Sequence, residues 1–166
     1  MTTEHMKLRR EDRLLSEDQA LLAAASSSFA VLCTADTDGL PYGVPVNSVY
    51  LNGKFYFHGA AFEGRRSKNM LANPQVSLTF VPFESVDAEA FSTDYVSVIA
   101  EGKASKVEDA EEKKSALMAI AERFRPGLPV EPAAAYIDGA SDKVTVWSVT
   151  IERLCGKSRN PARYFG

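Results

Sequence analysis

The dipeptide Asn52–Gly53, set between two runs of β-favouring residues, does most to restrict how this chain can fold. A two-residue hairpin turn needs positive φ at its centre, and Asn-Gly meets that need better than almost any other pair. It therefore joins "YGVPVNSVYL" (42–51) to "KFYFHG" (54–59) as antiparallel neighbours. Upstream, "FAVLCTAD" (29–36) reads as another strand, ended by the turn "DTDG", so a three-stranded meander is expected. Pro45 cannot donate to a ladder, which predicts an edge, a bulge or a break within 42–51.

The rest of the chain supplies further strands and a few helices. Residues 1–13 are charged and read as an N-terminal arm, with 14–166 as one domain. Ser16 followed by Gln19 predicts a capped helix with Leu21, Leu22 and Ala25 on its apolar side. A short helix over 65–72 should stop before Pro74. "QVSLTFVPF" (75–83) reads as a strand, and 84–94 as an acidic surface loop. A long strand over 95–108, bent near Gly102, precedes an amphipathic helix over 109–124. The Pro- and Gly-rich stretch 125–142 reads as a connection, and 143–156 as the last strand, with Trp147 packed in core or interface. Tyr164 and Phe165 close the chain as a cover for a partner subunit or as a frayed end.

Six antiparallel strands interrupted by helices predict a mainly β, α+β fold: a six-stranded split β-barrel with flanking helices. Regular βαβ alternation and a Gly-x-Gly-x-x-Gly motif are both absent, which argues against a doubly wound fold. The net charge of -3 argues against a general nucleic-acid binder. No apolar run reaches membrane-spanning length, and the polar start does not read as a signal peptide, so a cytoplasmic protein is expected. Cys33 and Cys155 are far apart and read as reduced thiols, Cys33 as a small buried hydrophobe.

One segment raises a chemical question. In "FYFHGAAFEGRRSKNMLANP" (55–74), a strand ends at His58 and Gly59, and Gly64 then leads two arginines into a helix. A helix N-terminus carries partial positive charge, so Arg65 and Arg66 are electrostatically unwelcome there unless an anion joins them. A phosphate would receive backbone amides, charge-assisted bonds from both arginines, the Ser67 hydroxyl and the Lys68 cation. The competing reading is a solvated polar helix face. His58 suits proton transfer near neutral pH, or axial ligation of a haem; a metal site would need more ligands than the sequence clusters.

The same segment resembles the FMN-phosphate region of the split-barrel flavoproteins related to pyridoxamine 5'-phosphate oxidase. Counted back from Asn73–Pro74, Arg65 and Arg66 fall on that family's Arg-Lys phosphate pair. With "DGLPYGVPVNSVYLNGKFYFHGA" and "YVSVIAEGKASKVEDAEEK", the chain is most similar to the 5-nitroimidazole resistance (Nim) branch. The resemblance implies a homodimer with FMN in a groove at the interface. It implies flavin contacts from Val46, Asn47 and Ser48, with His58 and Gly59 facing cofactor or substrate. Lys157, expected just past the last strand, would approach the flavin from the partner subunit. The implied activity is flavin-dependent reduction of a small electrophile, with reduced nicotinamide as a possible donor. A non-catalytic FMN- or haem-binding module is the alternative. The chain departs from the family in carrying Arg66 for lysine, and its tail "GKSRNPARYFG" lacks the histidine of the oxidases' substrate-binding tail.

Overall fold

The structure is a computed structural model and describes residues 9–62 and 64–166; His5 and the first part of the expected arm lie outside them. A short 3-10 turn, Glu11–Arg13, leads to α1 (Glu17–Ser26). Ser16 caps α1 through a complete capping box with Gln19, as its spacing predicts. The strands are β1 (Ala30–Ala35), β2 (Pro41–Val46), β3 (Ser48–Leu51) and β4 (Lys54–Ala60), followed by α2 (Arg65–Ala72). Then come β5 (Gln75–Asp87), β6 (Ser92–Lys106), α3 (Ala110–Phe124), α4 (Val130–Ala140), β7 (Val144–Arg159) and the short α5 (Ala162–Phe165).

Among the described residues, seven strands form one antiparallel sheet in the order β2-β1-β5-β6-β7-β4-β3, so the expected count of six is corrected. The extra strand comes from 42–51, which breaks at Asn47. Its first half pairs with β1 and its second half with β4. The meander is therefore replaced by two hairpins at opposite edges of the sheet, linked only through Asn47. β2 and β3 do not pair with each other, so the ladder is open and the barrel is split.

Three other expectations are corrected. Residues 84–94 are not an irregular loop, because β5 and β6 continue their pairing out to Asp87 and Ser92 around a tight tip. Within 125–142 lies α4, whose Pro129 and Pro132 occupy the cap and first turn, positions where a missing N–H costs nothing. β7 runs on to Arg159, so Lys157 sits within it, opposite Ser97. The bend near Gly102 is present as a register shift at Glu101/Gly102.

The main core fills the barrel with Phe55, Phe57, Phe80, Leu32, Leu78, Val98 and Trp147, together with the alanine face of α1. Each large apolar side chain buried here contributes about 1.5–3 kcal/mol relative to exposure. A second cluster, Tyr56, Val107, Ala116, Leu117 and Val146, lies where α3 covers the outside of β4 and β7. Tyr164 and Phe165 pack on this chain's own core, Tyr164 against Phe83, and do not fray. Both cysteines are free, and Cys33 is only half-buried.

Candidate functional site

Strand alternation on β4 sets the site. Phe55 and Phe57 point into the barrel, so Gly59 continues that face, whereas Tyr56 and His58 face the side covered by α3. The α3 wall is fixed by a carboxylate: Glu112 accepts from Tyr56 (2.6 Å) and from Lys54 Nζ (2.9 Å). Burial, followed by the bond to Glu112, pushes the Tyr56 hydroxyl up to about 12. The same two donors, Tyr56 first, hold Glu112 below its ordinary value.

On the Gly59 face, α2 presents its first turn. α1 and α3 each begin with acids and a side-chain cap; α2 begins with Arg65 and Arg66, has no acid in its first turn and no side-chain cap at Gly64. Its leading amides are thus left for an outside acceptor. Arg66 lies half-buried over the Phe57 ring, its Cζ 5.6 Å from the centroid. Arg65 stacks over Tyr42 at 4.6 Å. Among the described residues, neither guanidinium has a carboxylate in ion-pair range. Burial lowers the Arg66 pKa from its ordinary value, yet an arginine stays charged at neutral pH.

A glycine is needed opposite. A Cβ on residue 59 would collide with Arg66 Nη2, so Gly59 is the space in which the guanidinium lies against β4. The hollow that results, about 200 Å³, is lined by Tyr42, Ala60, Gly64, Arg65, Arg66 and Ser67. Buried Asn69 locks α2 in place: its Nδ2 donates to Thr34 Oγ1 (3.0 Å), and that hydroxyl donates to the Tyr42 carbonyl (3.3 Å). A half-buried unpaired cation, uncapped amides and a hydroxyl around one hollow fit the phosphate end of a flavin nucleotide.

On the opposite face, His58 and Asn47 form the floor of a cleft of about 540 Å³ beneath α3 and α4. The crowding around it, and secondarily the charge of Arg66, hold the His58 pKa below its ordinary value, so the imidazole is neutral at pH 7. His58 nevertheless keeps an exposed edge, as does Asn47.

The predicted site residues are thus only partly brought together. Arg65, Arg66 and Ser67 share the hollow, with Gly59 lying against Arg66; His58 and Asn47 share the cleft. The Val46 and Ser48 side chains are buried inward, leaving only their backbone for a ligand. Lys68 is exposed and lines neither space. Lys157 lies eleven residues along β7 from Val146, which pairs with His58, a path of roughly 36 Å at strand rise. Sequence reasoning missed Tyr42, Asn69 and the cleft walls from α4. Asn69 left a usable signal, since asparagine is a poor choice for a helix interior unless its amide is engaged.

The profile of the pyridoxamine 5'-phosphate oxidase family matches residues 16–158, and the chain belongs to that family. No curated protein matches it with significance. Among solved structures, it is similar to a candidate 5-nitroimidazole antibiotic resistance protein from Bacteroides thetaiotaomicron VPI-5482. The two share 25 % identity over 87 % of this chain and 86 % of that one, with a TM-score of 0.71. A conserved hypothetical protein from Mycobacterium tuberculosis shares the fold at a TM-score of 0.78 and 20 % identity, over 96 % and 95 % of the two chains. So does an FAD- and haem-binding protein from Mycobacterium smegmatis, at 0.70 and 15 %, over 87 % and 72 %. Among the described residues, no helix is long and apolar enough to cross a membrane, and no group of His, Cys, Asp and Glu is arranged to hold a metal ion.

Proposed function

We propose that this chain is an FMN-binding flavoprotein that reduces small electrophiles. The observation that carries the reading is the first turn of α2: uncapped, free of acids, and holding Arg66 half-buried against Gly59 with no carboxylate partner among the described residues. Leaving that cation unpaired in a partly desolvated place is costly unless a ligand anion completes it. FMN would supply the electron transfer, accepting electrons from a reduced nicotinamide and passing them to the acceptor. The chain's own residues bind and orient: Arg65, Arg66 and Ser67 hold the phosphate, and neutral His58 offers an N–H beside the acceptor.

Homodimerisation belongs to the same reading. Lys157 lies eleven residues along β7 from the position that pairs with His58, which supports its acting on a flavin held by a second copy. The similarity to a candidate nitroimidazole resistance protein supports a nitroaromatic-type acceptor.

The test is an absorbance spectrum of purified protein before and after addition of FMN and desalting, followed by nicotinamide oxidation with nitro or quinone acceptors. Retained flavin and acceptor-dependent turnover are expected. Retained flavin with no turnover on any acceptor would reduce the chain to a binding module. One observation favours haem as the second reading: the His58 imidazole opens into an apolar cleft, as an axial ligand must. A Soret band lost in His58→Ala would establish it.

A further inference from the structure

The cleft on the His58 side of β4 has its own chemistry. Its walls are Phe124 at the end of α3, Leu128 in the connection that follows and Tyr136 from α4, and it also holds His58, Asn47 and Arg125. Among the described residues, no carboxylate lines it. The Arg125 guanidinium is exposed and, among the described residues, takes part in no ion pair or hydrogen bond, although its backbone N–H caps α3 on the Ala121 carbonyl. The walls are fixed in place. α3 is anchored at its start by Glu112 on Tyr56 and at its end by Arg123, which donates to the Ser27 carbonyl. α4 is tied to α3 by Lys113 Nζ on the Ser141 carbonyl (2.8 Å) and by Lys114 on Asp138 (2.8 Å).

A preformed apolar cleft with a few convergent donors and no acceptor charge selects a flat apolar body carrying an anionic acceptor group. We infer that this cleft binds an aromatic carboxylate, its ring between Phe124, Leu128 and Tyr136 and its carboxylate toward Arg125, with His58 and Asn47 donating from the floor. Arginine suits the role because its planar fork matches a carboxylate and stacks on aromatic faces. As the acceptor subsite of a reductase the cleft rests on the flavin reading; as a ligand site it stands without it.

The test uses the full chain and the fluorescent probe 1-naphthoate, with the neutral 1-naphthalenemethanol as its counterpart. Saturable naphthoate binding is expected, with the alcohol weaker by about ten-fold, the worth of a charge-assisted bond. Arg125→Ala should lower naphthoate affinity by about ten-fold and leave the alcohol unchanged, whereas Tyr136→Ala should weaken both. Both positions are exposed, so folding is not at risk. An Arg65→Ala/Arg66→Ala protein should lose FMN yet keep naphthoate, which separates this proposal from the phosphate assignment. Absence of saturable naphthoate binding would overturn the site. Equal affinity for acid and alcohol would overturn the ligand class. Displacement of naphthoate by FMN would show that the flavin itself fills the cleft and would overturn the assignment to a separate ligand.

Discussion

The guanidinium of Arg66 lies where the side chain of residue 59 would begin, so Gly59 and Arg66 occupy one shared space. The φ at Gly59 is not in the left-handed region; what the position requires is room, not backbone freedom. A methyl there meets the far end of a flexible arginine rather than fixed backbone. Gly59→Ala is expected to keep stability within about 1 kcal/mol while displacing Arg66 from the hollow. FMN affinity should fall by roughly ten-fold or more, the worth of one charged hydrogen bond at about 1.5–3 kcal/mol. Denaturation midpoints and FMN titrations on the same protein check both halves.

Gly102 gives the contrasting case. A Cβ there runs into the Thr150 carbonyl and comes to 3.2 Å from Ile151 Cα, both backbone of the neighbouring strand at the bulge. Nothing flexible can give way, so Gly102→Ala should destabilise the fold by about 1–3 kcal/mol or more. Urea unfolding should show a lowered midpoint, and any loss of FMN should track unfolding.

His58 carries a pH prediction. Its folded pKa is depressed, chiefly by burial and then by Arg66, below an unfolded value of about 6.5. In the window just below 6.5 the unfolded chain takes up the proton first, so stability is retained above that pH and falls as pH drops through it. NMR titration of the imidazole should give a midpoint below the model-peptide value. Arg66→Ala should raise that midpoint only part of the way, because burial is the larger cause.

Asn69 tests the positioning of the arginine helix. Asn69→Ala removes the amide that fixes α2 to Thr34 and leaves a small gap, at a cost of about 1–3 kcal/mol. FMN affinity should fall in the folded fraction as well, since Arg65 and Arg66 are then held less firmly. Unchanged affinity alongside lowered stability would make Asn69 a structural residue only.

The elements that could be read in the sequence were those with a local physical signature. The capping box at Ser16, the turn at Asn52–Gly53, the stop before Pro74 and the bend at Gly102 each follow from one or two residues. What failed was decided non-locally. The break at Asn47 exists because the two halves of 42–51 serve opposite edges of the sheet, which Pro45 hinted at without locating. The hairpin over 84–94 stands clear of the core, so its strands lack an apolar alternation. α4 was hidden by prolines that happen to fit a helix start. At the site, the cation pair pointed to the hollow from charge alone. That His58 and Gly59 face different spaces follows from β-strand alternation and was legible, but the cleft above His58 depends on where α3 and α4 dock.

The cations of α2 are tested most directly by one measurement: FMN affinity of the native chain against Arg65→Ala/Arg66→Ala, with circular dichroism on both. An intact barrel is expected, with an affinity lower by about two orders of magnitude, the worth of two charged hydrogen bonds. An equal affinity in a folded double variant would contradict it, and the two arginines would then be no more than a solvated helix face.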